Sequence, residues 1–216
     1  VFTRPQGRKG GRGKIGCLVV DHLDELTAEA IAFAPLIEGL IADEPGEWGG
    51  VNEAHYLGNG IFGLLYHVAH FPNPADPVEK RYYAAACLFD IRSGEVWDEQ
   101  IIACRSCFPA AETKRPGLER VVFPGGLDFG DPRGLVLYAG LSDSHAGAMI
   151  VQNRFLAVAL EQFIATLPLG DGEVAHLAWL DGLGLDEIAR RLDREPAAVA
   201  EAARRNKRRL QEWLES

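Results

Sequence analysis

EWGGVNEAHYLGNG, residues 47–60, sets a Gly-Gly pair before an alternating run and closes on Asn59-Gly60. Along an extended strand, alternation puts Val51, Glu53, His55 and Leu57 on one face and Asn52, Ala54 and Tyr56 on the other. Asn59-Gly60 suits a two-residue hairpin turn, because both residues tolerate positive φ. IFGLLYHVA (61–69) is then the returning strand. Glu53 and His55 neighbour one another on one face of this hairpin, as a solvated edge or as part of a polar site.

Working outward, KIGCLVVD (14–21), RYYAAACLFD (81–90), EVWDEQIIA (95–103), ERVVF (119–123) and GLVLYAGLSD (134–143) are short apolar or alternating runs. Turn chemistry such as Ser93-Gly94 and Asp131-Pro132 separates them. One helix is expected within LTAEAIAFA (26–34), with Thr27 as its N-cap. Consecutive strands without intervening helices indicate antiparallel sheet. GGVNEAHYLGNGIFGLLYH and GGLDFGDPRGLVLYAGLSD form a faint repeat of a Gly pair, a short strand, a turn and a second strand. Between Gly49 and Gly125 there is room for one four-stranded unit, as in a propeller blade, or for two similar hairpins of a sandwich. After Gly147 the spacing becomes helical, with a boundary expected at about 148–154.

A hydrophobic share of 47% and a charged share of 25% are ordinary for a soluble protein. No apolar run approaches the roughly 18–20 residues that span a bilayer, and no signal-peptide pattern opens the chain, so a cytoplasmic location without membrane contact is expected. The four cysteines lack metal-finger spacing and are read as buried or free thiols, Cys104-Arg-Ser-Cys107 included. No metal or cofactor is expected. The net charge is −9, but Arg4, Arg8, Lys9, Arg12 and Lys14 cluster at the start and Arg204–Arg209 near the end. Any nucleic-acid role would rest on those local patches.

TRPQGRKGGRGKIGCLVVDHLDELTAEAIAFAPLIEGLI, EWGGVNEAHYL and VVFPGGL followed by LYAGLSDSHAG make the first 150 residues similar to the C-terminal half of a bacterial family catalogued as domain of unknown function 1861. That family resembles, in fold, the five-bladed propellers of furanosidase-type and mannoside-phosphorylase-type carbohydrate enzymes. The resemblance implies a partial five-bladed β-propeller with antiparallel blades over 1–150, and a sugar or sugar phosphate as partner. A closed ring of five blades needs roughly twenty strands, and far fewer are visible, so a fragment is expected. Glycoside cleavage uses two carboxylates about 5–9.5 Å apart, and Glu53 and Asp143 are the best catalytic pair on offer. Asn52, His55, His67, His145, Arg4, Arg8 and Lys9 are the expected substrate-binding residues, although the RPQGRKGGRGK loop also reads as a solvated basic loop. Hydrolysis, phosphorolysis and binding alone all remain open.

LPLGDGEVAHLAWLDGLGLDEIARRLDREPAAVAEAARRNKRRLQEWL resembles the region-four helix-turn-helix domain of RNA polymerase sigma factors over about 165–214. A small all-α module over 153–216 is expected, with Pro196 opening its last helix. Val174, Leu177, Leu180, Leu185, Ile188, Leu192, Val199 and Leu210 would form its core. The base-reading turns would carry Ala197, Ala198, Ala200, Glu201 and Ala202, which offer little to bases. Arg204, Arg205, Lys207, Arg208 and Arg209 could grip only phosphates, giving weak DNA or polymerase contact. The leading reading is therefore a carbohydrate-active or carbohydrate-binding protein with a helical appendage. The alternative is a DNA- or polymerase-associated regulator whose β module senses a sugar.

Overall fold

Leu64 and Leu65 are adjacent in sequence and both fully buried, which fixes the layering of the β structure. The computed structural model describes residues 1–42, 46–129, 134–152 and 154–214. Strands β1 (Phe2–Thr3) and β2 (Gly16–Cys17) form a small ribbon, with the short helix α1 (Gly7–Gly10) between them and α2 (Ala28–Ala32) following. Next come β3 (Trp48–Gly58), β4 (Ile61–His70), β5 (Arg81–Asp90) and β6 (Val96–Ala103), hydrogen-bonded in chain order as a four-stranded sheet. β7 (Val122–Asp128), β8 (Leu135–Leu141) and β9 (His145–Val151) make a three-stranded antiparallel sheet. The helices α3 (Arg154–Ala165), α4 (Leu169–Trp179), α5 (Leu185–Leu192) and α6 (Pro196–Leu214) close the chain.

The structure divides into two compact units: residues 1–56 with 61–152, and residues 57–60 with 153–216. In the first, the central strands β4 and β5 of the four-stranded sheet are buried on both faces. Leu65, Ala84 and Ala103 pack with Val122, Leu137, Ala139 and Leu141 of the second sheet. On the opposite face, Leu64, Tyr66, Ala85, Cys87 and Phe89 lie under Ile15, Ile37, Leu40 and Ile41 of the N-terminal segment. A strand covered on both sides needs apolar residues at successive positions, which is why IFGLLYHVA shows no clean alternation. Truncating either central leucine to alanine would cost about 2–5 kcal/mol. Tyr66 lies in this interior because its hydroxyl donates to Glu99 Oε1 at 2.5 Å, and burial with that bond holds its proton firmly.

Several expectations hold in detail. Asn59 and Gly60 turn the β3–β4 hairpin with φ of 50° and 77°. The Thr27 hydroxyl oxygen accepts the Ala30 N–H at 3.1 Å and caps α2. Others need correction. Only Gly16–Cys17 of KIGCLVVD is assigned as strand, with one further pair of bonds between Leu18 and Val1. The glycines at 49 and 50 lie inside β3 rather than at a corner before it. The strand expected at 119–123 starts later, at Val122. Residues 145–151 form a strand, so extended structure continues past Gly147 before the helices begin. The expected Asp131-Pro132 turn lies outside the described residues.

In the second unit Val174, Leu177, Ile188, Ala189, Val199 and Ala202 make one core, with Leu192 packed against it. Leu185 was expected inside but is 41% exposed at the start of α5. Pro196 does open α6. The Asp171 carboxylate on α4 takes hydrogen bonds from Arg205 at 2.8 Å and Arg209 at 2.9 Å, one helical turn apart on α6. The Arg205 bond, then the charges of both arginines, holds Asp171 below the usual carboxylate range. No helix among the described residues is long and apolar enough to cross a membrane.

A carboxylate held ionised by two guanidinium groups stabilises the fold above the carboxylate range and ceases to do so as the pH falls through its lowered pKa. Asp171→Asn should therefore lower the melting temperature of the helices at neutral pH. The gap from wild type should close in strong acid, where the wild-type carboxyl is also neutral. Far-UV circular dichroism melts would reveal this, and an equal gap at every pH would refute the ion-pair account.

Candidate functional site

Gly49 lets the N-terminal loop close onto the sheet. A Cβ at this position would lie 2.2 Å from Ile41 Cδ1 and 2.5 Å from the His67 carbonyl oxygen, so no side chain fits. The bare backbone of Gly49 is used in both directions. Its N–H donates to the Gly13 carbonyl at 2.9 Å, and its carbonyl accepts from Arg4 Nε at 2.9 Å. A second Arg4 nitrogen donates to the Arg12 carbonyl at 3.2 Å. The loop that joins β1 and β2 thus brings a solvent-exposed guanidinium, fixed by two carbonyls, to the start of β3. Gly13, with φ of +146°, is bare for the same reason: a Cβ there would meet Arg4 Nε at 2.4 Å.

The next residue along, Gly50, leaves room where a Cβ would stand 3.1 Å from both Arg4 Cδ and His67 Cε1. His67 comes from β4 and reaches Asn52 Oδ1 through its Nδ1 at 2.9 Å. Its ring stacks on Tyr82 at 5.7 Å and lies 4.8 Å from Phe123. The Trp48 indole N–H donates to the Tyr82 hydroxyl at 3.0 Å and steadies that ring. His67 is only 6% exposed, and burial followed by the Arg4 charge pushes its imidazole down to about 4. A neutral ring donating Nδ1–H to Asn52 fixes the amide from beneath. His67, expected among the substrate-binding residues, thus lies behind Asn52 and orients its amide.

Further along β3, Glu53 Oε2 accepts the Leu127 N–H of β7 at 2.7 Å. His55 Nε2 lies 3.3 Å from the same oxygen, and its ring meets Phe129 edge-on at 4.7 Å. Gly126 gives Glu53 its space, since a Cβ there would sit 3.4 Å from Oε2. The two Gly pairs of the repeat therefore lie on the first strands of the two sheets, and the second pair receives the carboxylate that follows the first. The polar strip along β3 thus has two parts: Arg4 at Gly49 and Gly50 with His67 and Asn52, and further on Glu53 with His55.

The remaining candidates lie elsewhere. Asp143 occupies the β8–β9 turn with Ser142, at φ of 55° and 54°. β8 separates that turn from Glu53: Leu127 pairs with Leu137, and the strand runs on to Leu141 beside Val122. Four residues of strand cover about 13 Å, so the turn that carries Asp143 and the Leu127 amide that binds Glu53 stand towards opposite ends of β8. His145 shares that turn, its Nδ1 2.8 Å from the Ser144 hydroxyl. Lys9 is turned to the Phe33 carbonyl at 2.6 Å, and Arg8 is exposed on α1. Of the basic run on α6, Arg205 and Arg209 are engaged by Asp171, whereas Arg204, Lys207 and Arg208 are exposed. Sequence reasoning missed Tyr82 and Phe123, whose roles depend on sheet stacking. It also missed Arg12, whose guanidinium lies over the Phe71 and Trp48 rings at 4.7 and 5.7 Å.

Comparison with known proteins gives these residues a context. The family model described as "Protein of unknown function (DUF1861)" matches residues 1–157. MPT-4, a mannose phosphorylase from Leishmania mexicana solved with a phosphate ion, is 32% identical with a TM-score of 0.61, over 73% of this chain and 48% of that one. A hypothetical protein from Leishmania major is 32% identical with a TM-score of 0.59, over 71% and 47%. MPT-1, a GDP-Man-dependent mannosyltransferase from Leishmania mexicana, is 26% identical with a TM-score of 0.56, over 66% and 45%. The chain spans about half the length of these solved relatives. No curated protein sequence matches it significantly.

The lowered His67 value has a pH signature. Above its ordinary value of 6.5 the ring is neutral in folded and unfolded chains alike. As the pH falls toward about 4, the unfolded chain takes up a proton that the folded chain refuses, and stability is lost. The loss is on the order of 3 kcal/mol when complete. His67→Gln should remove this part of the acid decline in urea midpoints. A decline of undiminished size in the variant would refute the assignment.

Proposed function

We propose, from the premise that this chain belongs to the DUF1861 family, that its β unit carries part of a binding surface for a sugar phosphate. The observation that carries this reading is the Arg4 guanidinium tethered by two carbonyls at the start of β3, with Asn52 on His67 next along the strand and Glu53 with His55 beyond it. A guanidinium suits phosphate oxygens, and an amide with a carboxylate suits vicinal sugar hydroxyls. Phe123, 43% exposed beside His67, adds an apolar ring for the C–H face of a sugar. The likeness to a mannose phosphorylase solved with phosphate supports a mannose-type ligand. Residues 1–150 are proposed as a partial glycosidase-like propeller within such a protein, acting in glycoside phosphorolysis or glycosyl transfer. Within that reading, Glu53 is the candidate carboxylate, with one oxygen already taken by the Leu127 N–H.

Residues 153–216 are proposed as a sigma-region-four-like helix-turn-helix appendage. Support comes from α5 and α6, which are joined across Asp193–Glu195, with Asp193 left-handed at φ of 50°. The exposed Arg204, Lys207 and Arg208 favour weak phosphate contact, and the alanine-rich start of α6 favours no base reading.

Titration of the whole chain with mannose 1-phosphate and with inorganic phosphate, followed by amide NMR shifts, should perturb residues 49–55 first. Arg4→Ala should weaken binding by about tenfold or more, the worth of one charge-assisted hydrogen bond. Arg4→Lys should retain part of it, and Asp143→Asn should leave it unchanged. Unaltered binding in Arg4→Ala, or shifts centred on the β8–β9 turn, would overturn the reading. Duplex DNA should bind weakly, with affinity that falls steeply with salt and varies little with sequence. Tight, sequence-dependent binding at physiological salt would favour the regulator instead.

A further inference from the structure

Cys104 and Cys107 are free thiols, and they lie side by side. Cys104 ends the run after β6, and Arg105–Cys107 makes a single 3-10 turn. In such a turn three residues complete a revolution, so side chains three apart stand above one another. The two sulfur atoms accordingly lie 3.6 Å apart, with Cys107 exposed and Cys104 half-buried. The rise over three residues of such a turn is about 6 Å, inside the Cα separation that a disulfide spans. Small side-chain rotations would bring the sulfurs into bonding distance.

The surroundings favour one sulfur as the attacking group. The Ser106 hydroxyl lies 3.1 Å from Cys104 Sγ, and the Cys104 N–H donates to Cys107 Sγ at 3.4 Å. The hydrogen bond from Ser106, with further bonds from Cys107 and nearby amides, lowers the Cys104 thiol below its ordinary value. The other two cysteines behave oppositely: burial raises Cys17, and pushes Cys87 up to about 12. The turn is also held in place. Arg105 donates to the Ser142 hydroxyl at 3.1 Å and to the Pro109 carbonyl at 2.8 Å. The backbone between the cysteines is therefore anchored, and Phe108 just beyond it is buried in the inter-sheet core.

We propose that Cys104 and Cys107 form a thiol–disulfide exchange site on the outer end of β6, reacting with low-molecular-weight disulfides. The Cys104 thiolate attacks one sulfur of the small disulfide. That S–S bond breaks, one small thiolate leaves, and a mixed disulfide forms on Cys104. The Cys107 thiolate then attacks the Cys104 sulfur and expels the second small thiolate, closing the Cys104–Cys107 bond. The protein gives up two electrons and two protons, and the small disulfide becomes two thiols. A bridge across so short a loop restrains the unfolded chain little, so the reverse reaction with excess thiol is accessible.

The test is equilibration of the full chain in glutathione and glutathione-disulfide buffers, acid quenching, alkylation in denaturant and peptide mass analysis. The expected result is joint protection of Cys104 and Cys107 within one peptide, reversed by dithiothreitol, while Cys17 and Cys87 stay fully alkylated. Cys107→Ser should stop at a glutathione adduct on Cys104. Cys104→Ser should slow adduct formation on Cys107 severalfold relative to that variant. Independent adducts on both cysteines of the wild type, disulfide-linked dimers, or full alkylation of both in the oxidising buffer would each overturn the proposal.

Discussion

The close approach of backbone to backbone at Gly49 is the constraint on which the β unit depends. With no side chain in the way, Ile41 and the His67 carbonyl press against it, and its own N–H and C=O are taken by Gly13 and Arg4. Those two bonds join the loop after β1 to β3, and the same segment carries Ile15, Ile37, Leu40 and Ile41 onto one face of the central sheet. Core formation and placement of the Arg4 cation are one event. Any side chain at position 49 would separate them.

Much of this was visible in the sequence where a local rule governs a local outcome. Asn59-Gly60 marks its hairpin, Thr27 its helix start and Pro196 its last helix, each through chemistry confined to a few residues. The run at 61–70 shows its strand but hides its double burial until the second sheet is in place. Strand β9 escaped notice because His-Ala-Gly-Ala-Met offers small residues in place of an alternating pattern. At 14–21 the converse happened: a strongly β-like composition yielded two residues of strand.

The candidate site was legible in part. Asn52, Glu53 and His55 follow from one strand, and all three take part in the polar strip. Glu53 and Asp143 stand towards opposite ends of β8, because repeat similarity relates hairpins, not the ends of a strand on which their residues stand. His67 could be recognised as polar in an apolar run, but its partners Asn52, Tyr82 and Phe123 come from three strands. Likewise, the basic run on α6 looks uniform until α4 brings Asp171 against two of its members. Side chains whose roles are set by the packing of distant elements carry no local signature.

The order of the strands bears on how the molecule comes to be assembled. Every pairing within the two main sheets joins neighbours in the chain, so the sheets can zip up by closing short loops, at small entropic cost. The bonds that complete the polar strip are of another kind: Arg4 to Gly49 spans 45 positions and Leu127 to Glu53 spans 74. On a chain emerging from the ribosome, β3 and β4 can pair before β7 exists. Glu53 then waits in water for its amide, and that part of the surface acquires its shape only once β7 has arrived.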